Sequence, residues 1–189
     1  MYVETINPVR FKVTGDDLKG FFQGLITNNI KNIDGQLESF ILTPQGKIKH
    51  QINITDNGDH YIIECSNDQS DLSSFLNLYA GLSGITVQKE YIDKSQFNKK
   101  YFLDLLEQGK IDTNFLKQPS LYPAEVNEDI VDYKKGCYVG QEVVARMKHK
   151  QKNRKEIQIL KANDELPLNS KVLLEIDNFV IVKKPKSEV

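Results

Sequence analysis

At 189 residues the chain has room for one ordinary core, or one compact domain with a small appendage, and not for two large independent domains. Hydrophobic residues at 39% and charged residues at 27% exclude wholesale disorder, and no apolar run approaches the about 20 residues needed to span a bilayer. With 25 Lys and Arg against 26 Asp and Glu, the net charge of -1 supplies no global pull toward nucleic acid or an anionic membrane, so any such partner needs a local patch.

Arg10 to Val13 reads as a short strand. Thr14-Gly15-Asp16-Asp17 then supplies a turn and acidic residues suited to a helix N-terminus. Leu18, Phe21, Phe22, Leu25 and Ile26 recur at helical spacing and mark a face that must be buried. Gln36 to Leu42, Lys47 to Ile54 and His60 to Cys65 read as strands of an antiparallel meander, separated by the turn formers Thr43-Pro44-Gln45-Gly46 and Asp56-Asn57-Gly58-Asp59. Ser66-Asn67-Asp68 can cap a second helix with the stripe Leu72, Phe75, Leu76 and Tyr79, ending near Gly81, and Ile85 to Lys89 adds a strand. This order predicts an α+β fold: a mainly antiparallel sheet covered on one face by two helices.

Beyond Asp93 the chain turns polar. Phe102, Leu105 and Leu106 mark a short helix ending at Gly109, and a loop with Pro119 and Pro123 follows. Val143, Val144 and Met147 share the face of a helix beginning near Gly140. Strands at about Glu156 to Leu160, Lys171 to Ile176 and Phe179 to Val182 are too few to close a barrel and read as a small C-terminal β appendage. The expected division is 1–150 for the main domain and 151–189 for the appendage.

The chemistry concentrates in Lys134-Lys135-Gly136-Cys137-Tyr138-Val139-Gly140-Gln141-Glu142-Val143-Val144-Ala145-Arg146. Cys137 lies near the expected helix start and beside two lysines, and both features stabilise a thiolate. An arbitrary cysteine is more often a small buried hydrophobe, and Cys65, inside an alternating strand with no basic neighbour, is read that way. The two cysteines lie far apart and suggest no disulfide framework, and His50, His60 and His149 lack metal-ligand spacing, so no metal is expected. Glu142 and Arg146 stand one helical turn apart, at the spacing of a surface ion pair worth about 0.3–0.5 kcal/mol. Lys148, Lys150, Lys152, Arg154 and Lys155 surround His149 in a basic run without interleaved aromatics, which suits phosphate contact better than base stacking. Most such runs are merely solvated, and RNA contact is the less favoured reading.

The stretch Lys135-Gly136-Cys137-Tyr138-Val139-Gly140-Gln141-Glu142, followed by Ala145-Arg146, resembles the signature of the folate-binding YgfZ family, relatives of the glycine-cleavage T-protein. Phe22-Gln23-Gly24-Leu25-Ile26-Thr27-Asn28-Asn29 resembles that family's amino-terminal helix motif, and Leu42-Thr43-Pro44-Gln45-Gly46-Lys47 its hairpin turn. The resemblance implies a T-protein-like fold binding tetrahydrofolate. It also implies an accessory role in assembling or repairing iron-sulfur clusters of client enzymes, some of which modify tRNA. The expected location is the cytosol, because no apolar run is long enough to span a bilayer and Met1-Tyr2-Val3-Glu4 lacks a basic, apolar signal-peptide layout. Cys137 matches the family's required cysteine, with Lys135, Gly136, Tyr138, Gly140, Gln141, Glu142 and Arg146 supporting it. Tyr101 matches a position that can present an aromatic to folate, or else packs with Phe102. Glu125 and Asn127 are candidates to hydrogen-bond a pterin edge, or are solvated loop residues.

The chain departs from the family in four respects: it has only about Tyr91 to Lys100 where a longer middle section is usual, a cut-down carboxy-terminal barrel, Asn29 where Asp is usual, and no Trp. Two other functions stay open. One is a one-carbon or aminomethyl transferase of the T-protein type, needing an acid-base group beside folate. The other is a folate-free module binding RNA or a protein through Cys137 and the basic run.

Overall fold

The computed structural model describes residues 6–81, 83–116, 120–149 and 155–186. Strand β1 (Val9–Thr14) alternates, with Val9, Phe11 and Val13 buried. Helix α1 (Leu18–Leu25) starts where the Asp17 carboxylate accepts a hydrogen bond from Gly20 N at 2.8 Å, and it buries Leu18, Phe21, Phe22 and Leu25. A 3-10 turn at Ile30–Asn32 leads into β2 (Gln36–Leu42), β3 (Ile48–Asp56) and β4 (Tyr61–Cys65). Asp71 caps α2 (Leu72–Ala80), and β5 (Thr86–Glu90) returns to pair with β1. The sheet runs β2-β3-β4-β1-β5 with every pairing antiparallel.

The core follows from the strand period. Phe11, Ile52, Ile54 and Ile63 point to one face, where α1 and α2 add Phe22, Leu25, Leu72 and Leu76 to a single cluster. Each such side chain contributes roughly 1.5–3 kcal/mol on burial. The expected α+β layer, with two helices on one face of an antiparallel sheet, is the observed fold. On the opposite face β2 and β3 present Glu38, Gln51 and Asn53, which line a cleft.

The second half builds its own core. Asn98 caps α3 (Lys99–Glu107) by accepting from Tyr101 N at 3.0 Å. Phe102 of this helix stacks on Phe115 with ring centroids 4.6 Å apart. Both join Leu174, Ile176, Phe179 and Ile181 of a three-stranded sheet, β6 (Lys155–Lys161), β7 (Lys171–Ile176) and β8 (Phe179–Pro185), in the order β6-β8-β7. The C-terminal sheet thus shares its core with α3 and with Ile111, Phe115, Leu116 and Leu121.

The stretch around Pro123 differs from the expected loop. It forms a short helix, α4 (Pro123–Val126), because Pro123 is preset for a first turn and the Glu125 carboxylate accepts from Tyr122 N at 2.9 Å. Pro119 lies outside the described residues. The last helix, α5 (Gln141–His149), begins one residue beyond Gly140. Among the described residues, no helix is long and apolar enough to cross a membrane.

Candidate functional site

The 130–146 segment is held by the end of α1. Val139 N donates to Gly24 O at 3.2 Å, and Asp132 N donates to Thr27 O at 2.9 Å. The fully buried Thr27 donates its hydroxyl to Ile130 O at 2.9 Å. The Lys135 side chain turns inward, donating to Ile26 O at 2.6 Å and Asn28 O at 2.8 Å. Its burial lowers the ammonium pKa to about 8, against the opposing pull of Asp132. Asn29 donates its amide to Asp132 Oδ2 at 2.9 Å. An Asp at position 29 would set two carboxylates face to face there, so the Asn suits this chain's own partner.

The hairpin closes the junction from the other side. Gly140 (φ +81) and Gly46 (φ +76) meet so closely that a Cβ on Gly140 would lie 2.5 Å from Thr43 O and 3.0 Å from Gly46 Cα. A Cβ on Gly46 would lie 3.0 Å from Val143 Cβ. Apolar packing completes the contact, since Phe40, Leu42, Ile130, Val131, Tyr138 and Val144 form one cluster. The stretches 22–29, 42–47 and 135–146, separate in sequence, therefore meet in space.

Cys137 is exposed on the loop that this junction fixes, just ahead of α5. Of the two neighbouring lysines, Lys134 is exposed, while the Lys135 ammonium is committed to backbone carbonyls. Lys135 therefore acts on this loop chiefly as a tether. The Tyr138 ring lies under that ammonium at 5.0 Å, with its hydroxyl buried and without a partner, and burial raises its pKa to about 12. Gly136 is exposed, and Gln141 donates its side-chain amide to Lys135 O at 3.3 Å.

The ion pair suggested by the spacing of Glu142 and Arg146 is not among those of the described residues, both being exposed where water competes. The pair found on α5 joins Lys148 to Glu128 at 3.8 Å, with the same ammonium 3.8 Å from the Tyr133 ring centroid. His149 is exposed, as is Lys155 at the start of β6, and Lys150, Lys152 and Arg154 lie outside the described residues. Cys65 packs in the core, where burial first and the charge of Asp112 next push its thiol well up.

A separate cleft of about 790 Å³ opens between the polar face of β2 and β3, helix α3, the 109–112 loop and strand β6. Tyr101 and Asn127 line it; Glu125 and Cys137 are not on its wall. Tyr101 also packs edge-on against Phe97, with centroids 5.2 Å apart, and 6.1 Å from Phe115, so it joins the core and faces the cleft at once. Its phenol is pushed up by burial, then by the charges of Asp112 and Glu38. Both Glu125 oxygens are held by the protein, lying 2.7 and 2.8 Å from Lys183 Nζ on β8, with Tyr122 N on one of them.

No spacing or motif in the sequence singles out Asp112. It caps the 3-10 turn Thr113–Phe115, accepting from Asn114 N at 3.0 Å and from Ser66 Oγ at 2.5 Å. Asn114 in turn exchanges hydrogen bonds with the Gln51 backbone, and Gln51 Oε1 accepts from Thr113 N and Oγ1. Burial lifts the Asp112 carboxyl to about 6, against the lowering effect of Ser66 and Asn114. Among the described residues no group of three or more His, Cys, Asp or Glu could hold a metal ion.

No protein-family model matches the sequence. One curated relative, the tRNA-modifying protein YgfZ of Vibrio atlanticus (strain LGP32), is 38% identical over 71 residues, covering 31% of this chain and 22% of that protein's length. Among solved structures, the crystal structure of glycine cleavage system aminomethyltransferase T from Bartonella henselae superposes with a TM-score of 0.63 at 10% identity, covering 94% of this chain and 76% of that one. That likeness shows the fold. The chain is thus T-protein-like in fold and similar in sequence to YgfZ over those 71 residues.

Proposed function

We propose that the protein binds tetrahydrofolate in the cleft beneath α3 and serves in the cytoplasm as an accessory factor for iron-sulfur cluster assembly or repair. Its clients would include enzymes that modify tRNA. The observation that carries this reading is the exposed Cys137, held on a loop by the convergence of the 22–29 and 42–47 stretches. The cleft fits a folate-sized ligand, since pockets of about 300–1,000 Å³ take such molecules, and this one measures about 790 Å³. Tyr101 offers aromatic surface, and Asn127, Gln51 and Asp112 offer hydrogen-bonding groups.

Two measurements test this reading. In cells lacking the native protein, Cys137→Ala is expected to leave iron-sulfur enzyme activity unrestored, whereas wild type restores it; equal rescue would overturn the role of the thiol. Titration of purified protein with tetrahydrofolate should saturate at micromolar concentration. Absence of binding would favour instead a folate-free module acting through Cys137 and the basic run.

The second reading, a one-carbon transferase, draws on the T-protein-like fold and on the buried carboxyl of Asp112 in the cleft. Release of a one-carbon unit from a folate carrier by the purified protein would raise it above the first.

A further inference from the structure

Among the described residues that line the cleft, the charged ones are Glu38, Lys110, Asp112 and Asp129, three carboxylates and one ammonium. Asp112 is the deepest in hydrogen bonds. Its oxygens accept from Ser66 Oγ and Asn114 N, two neutral donors, and none of the ion pairs of the described residues includes it. The groups facing it from the surrounding elements are Glu38 on β2, Cys65 and Ser66 at the end of β4, and Tyr101 on α3. None of these is a cation. A carboxyl placed on the wall of a large cleft, hydrogen-bonded yet without a counter-ion, lacks one thing that a ligand can bring: a positive or N–H-rich edge.

We propose that Asp112 is the ligand-facing carboxyl of the cleft, and that its ionised form receives a planar ligand edge rich in N–H donors. The proposal rests on the folate reading, because a pterin ring carries an edge of that kind. Below about pH 6 the neutral acid plus ligand becomes the carboxylate-ligand complex plus one proton released to solvent, whereas above it the carboxylate binds with no proton released. No covalent bond is made or broken in either case. Since burial lifts the free carboxyl to about 6, a falling pH must weaken binding through that value. Neutral Ser66 and Tyr101 hydroxyls can turn to donate to the carboxylate or to accept from the acid, so the surroundings tolerate both forms.

The test is the affinity for 5-formyltetrahydrofolate, measured calorimetrically at pH 5.0, 6.0 and 7.5 on wild type and on Asp112→Asn, with a melting curve for each. Wild type is expected to bind about tenfold more weakly at pH 5.0 than at pH 7.5, the ratio set by one proton site near 6. Asp112→Asn should bind more weakly at pH 7.5 and change less than twofold across the range. A tenfold pH effect that persists in Asp112→Asn, or a flat wild-type profile, overturns the proposal while leaving folate binding intact. Absence of binding by wild type at every pH overturns the folate reading along with it. Should Asp112→Asn fail to fold, Ser66→Ala keeps the carboxyl and removes a donor to its charged form. It should move the half-effect point to higher pH, and an unmoved profile overturns the proposal.

Discussion

Gly140 lies so close to Thr43 that the carbonyl oxygen of Thr43 occupies the place where any side chain at position 140 would begin, 2.5 Å from an ideal Cβ. The same residue has φ +81, a conformation that only glycine adopts without strain. Gly140→Ala is therefore expected to cost about 1–3 kcal/mol for the backbone alone, with more from the displaced hairpin. Chemical denaturation will measure it, and Cys137 should become more rapidly labelled by a thiol reagent as its loop loosens. Gly24→Ala, where a Cβ meets nothing within 4 Å, is the control expected to change little.

The Lys135 ammonium satisfies two backbone carbonyls at the end of α1. Lys135→Met keeps the length of the chain and deletes the donor, so carbonyls that accept from it lose their partner at about 1–3 kcal/mol each when no water replaces it. A loss of about 2–4 kcal/mol in denaturation is expected. Cys137→Ala, at an exposed position, should fall within about 0.5 kcal/mol of wild type. Two such different costs would separate the tether from the thiol.

Glu125 and Lys183 form a pair whose side chains are 6% and 16% exposed. Deleting one partner of so buried a pair leaves a charge without compensation and costs about 3–5 kcal/mol. Glu125→Ala should reach that range in a melting experiment. Glu125→Ala combined with Lys183→Met should recover part of it, since removing both charges relieves the unpaired one.

His50 and Asp112 make stability depend on pH with opposite signs. Burial, and next the charge of Lys49, holds the His50 ring neutral down to about 3 from an ordinary 6.5. The unfolded chain takes up that proton first, so stability is lost as pH falls below 6.5. At pH 4 this amounts to about 3 kcal/mol. Asp112, raised from 3.8 to about 6, favours the protonated folded state, so stability falls as pH rises from 3.8 to 6 and is level above. His50→Leu should therefore gain on wild type by about 3 kcal/mol between pH 7.5 and pH 4. Urea titrations of the two proteins across that range will show whether it does.

The strands and helices of the first half were legible because their buried faces obey strict periods. Phe11, Ile52, Ile54 and Ile63 alternate along strands, and Leu18, Phe21, Phe22 and Leu25 return every helical turn. Cys137 was legible too, because Gly136, Gly140 and the lysines accompany it within a few residues. The helix at Pro123 was not, since a single turn has no period to read and its stability comes from the Glu125 carboxylate and Lys183, distant in sequence. Nor was the inward turn of Lys135, because a lysine beside a cysteine looks the same whether it points to the thiol or away.

By itself the sequence determined which segments are regular, which faces are apolar and which thiol stands out. It did so because periodicity, turn chemistry and local charge are properties of neighbouring residues. Tertiary structure alone decided that three separate stretches meet around Cys137, that Glu125 is a strut and that Asp112 lies on the wall of a cleft with Tyr101. Those facts depend on contacts between residues far apart in the chain, such as Lys135 with Ile26 and Asp112 with Ser66. Burial then sets the charge state of each group, a property that no single segment carries.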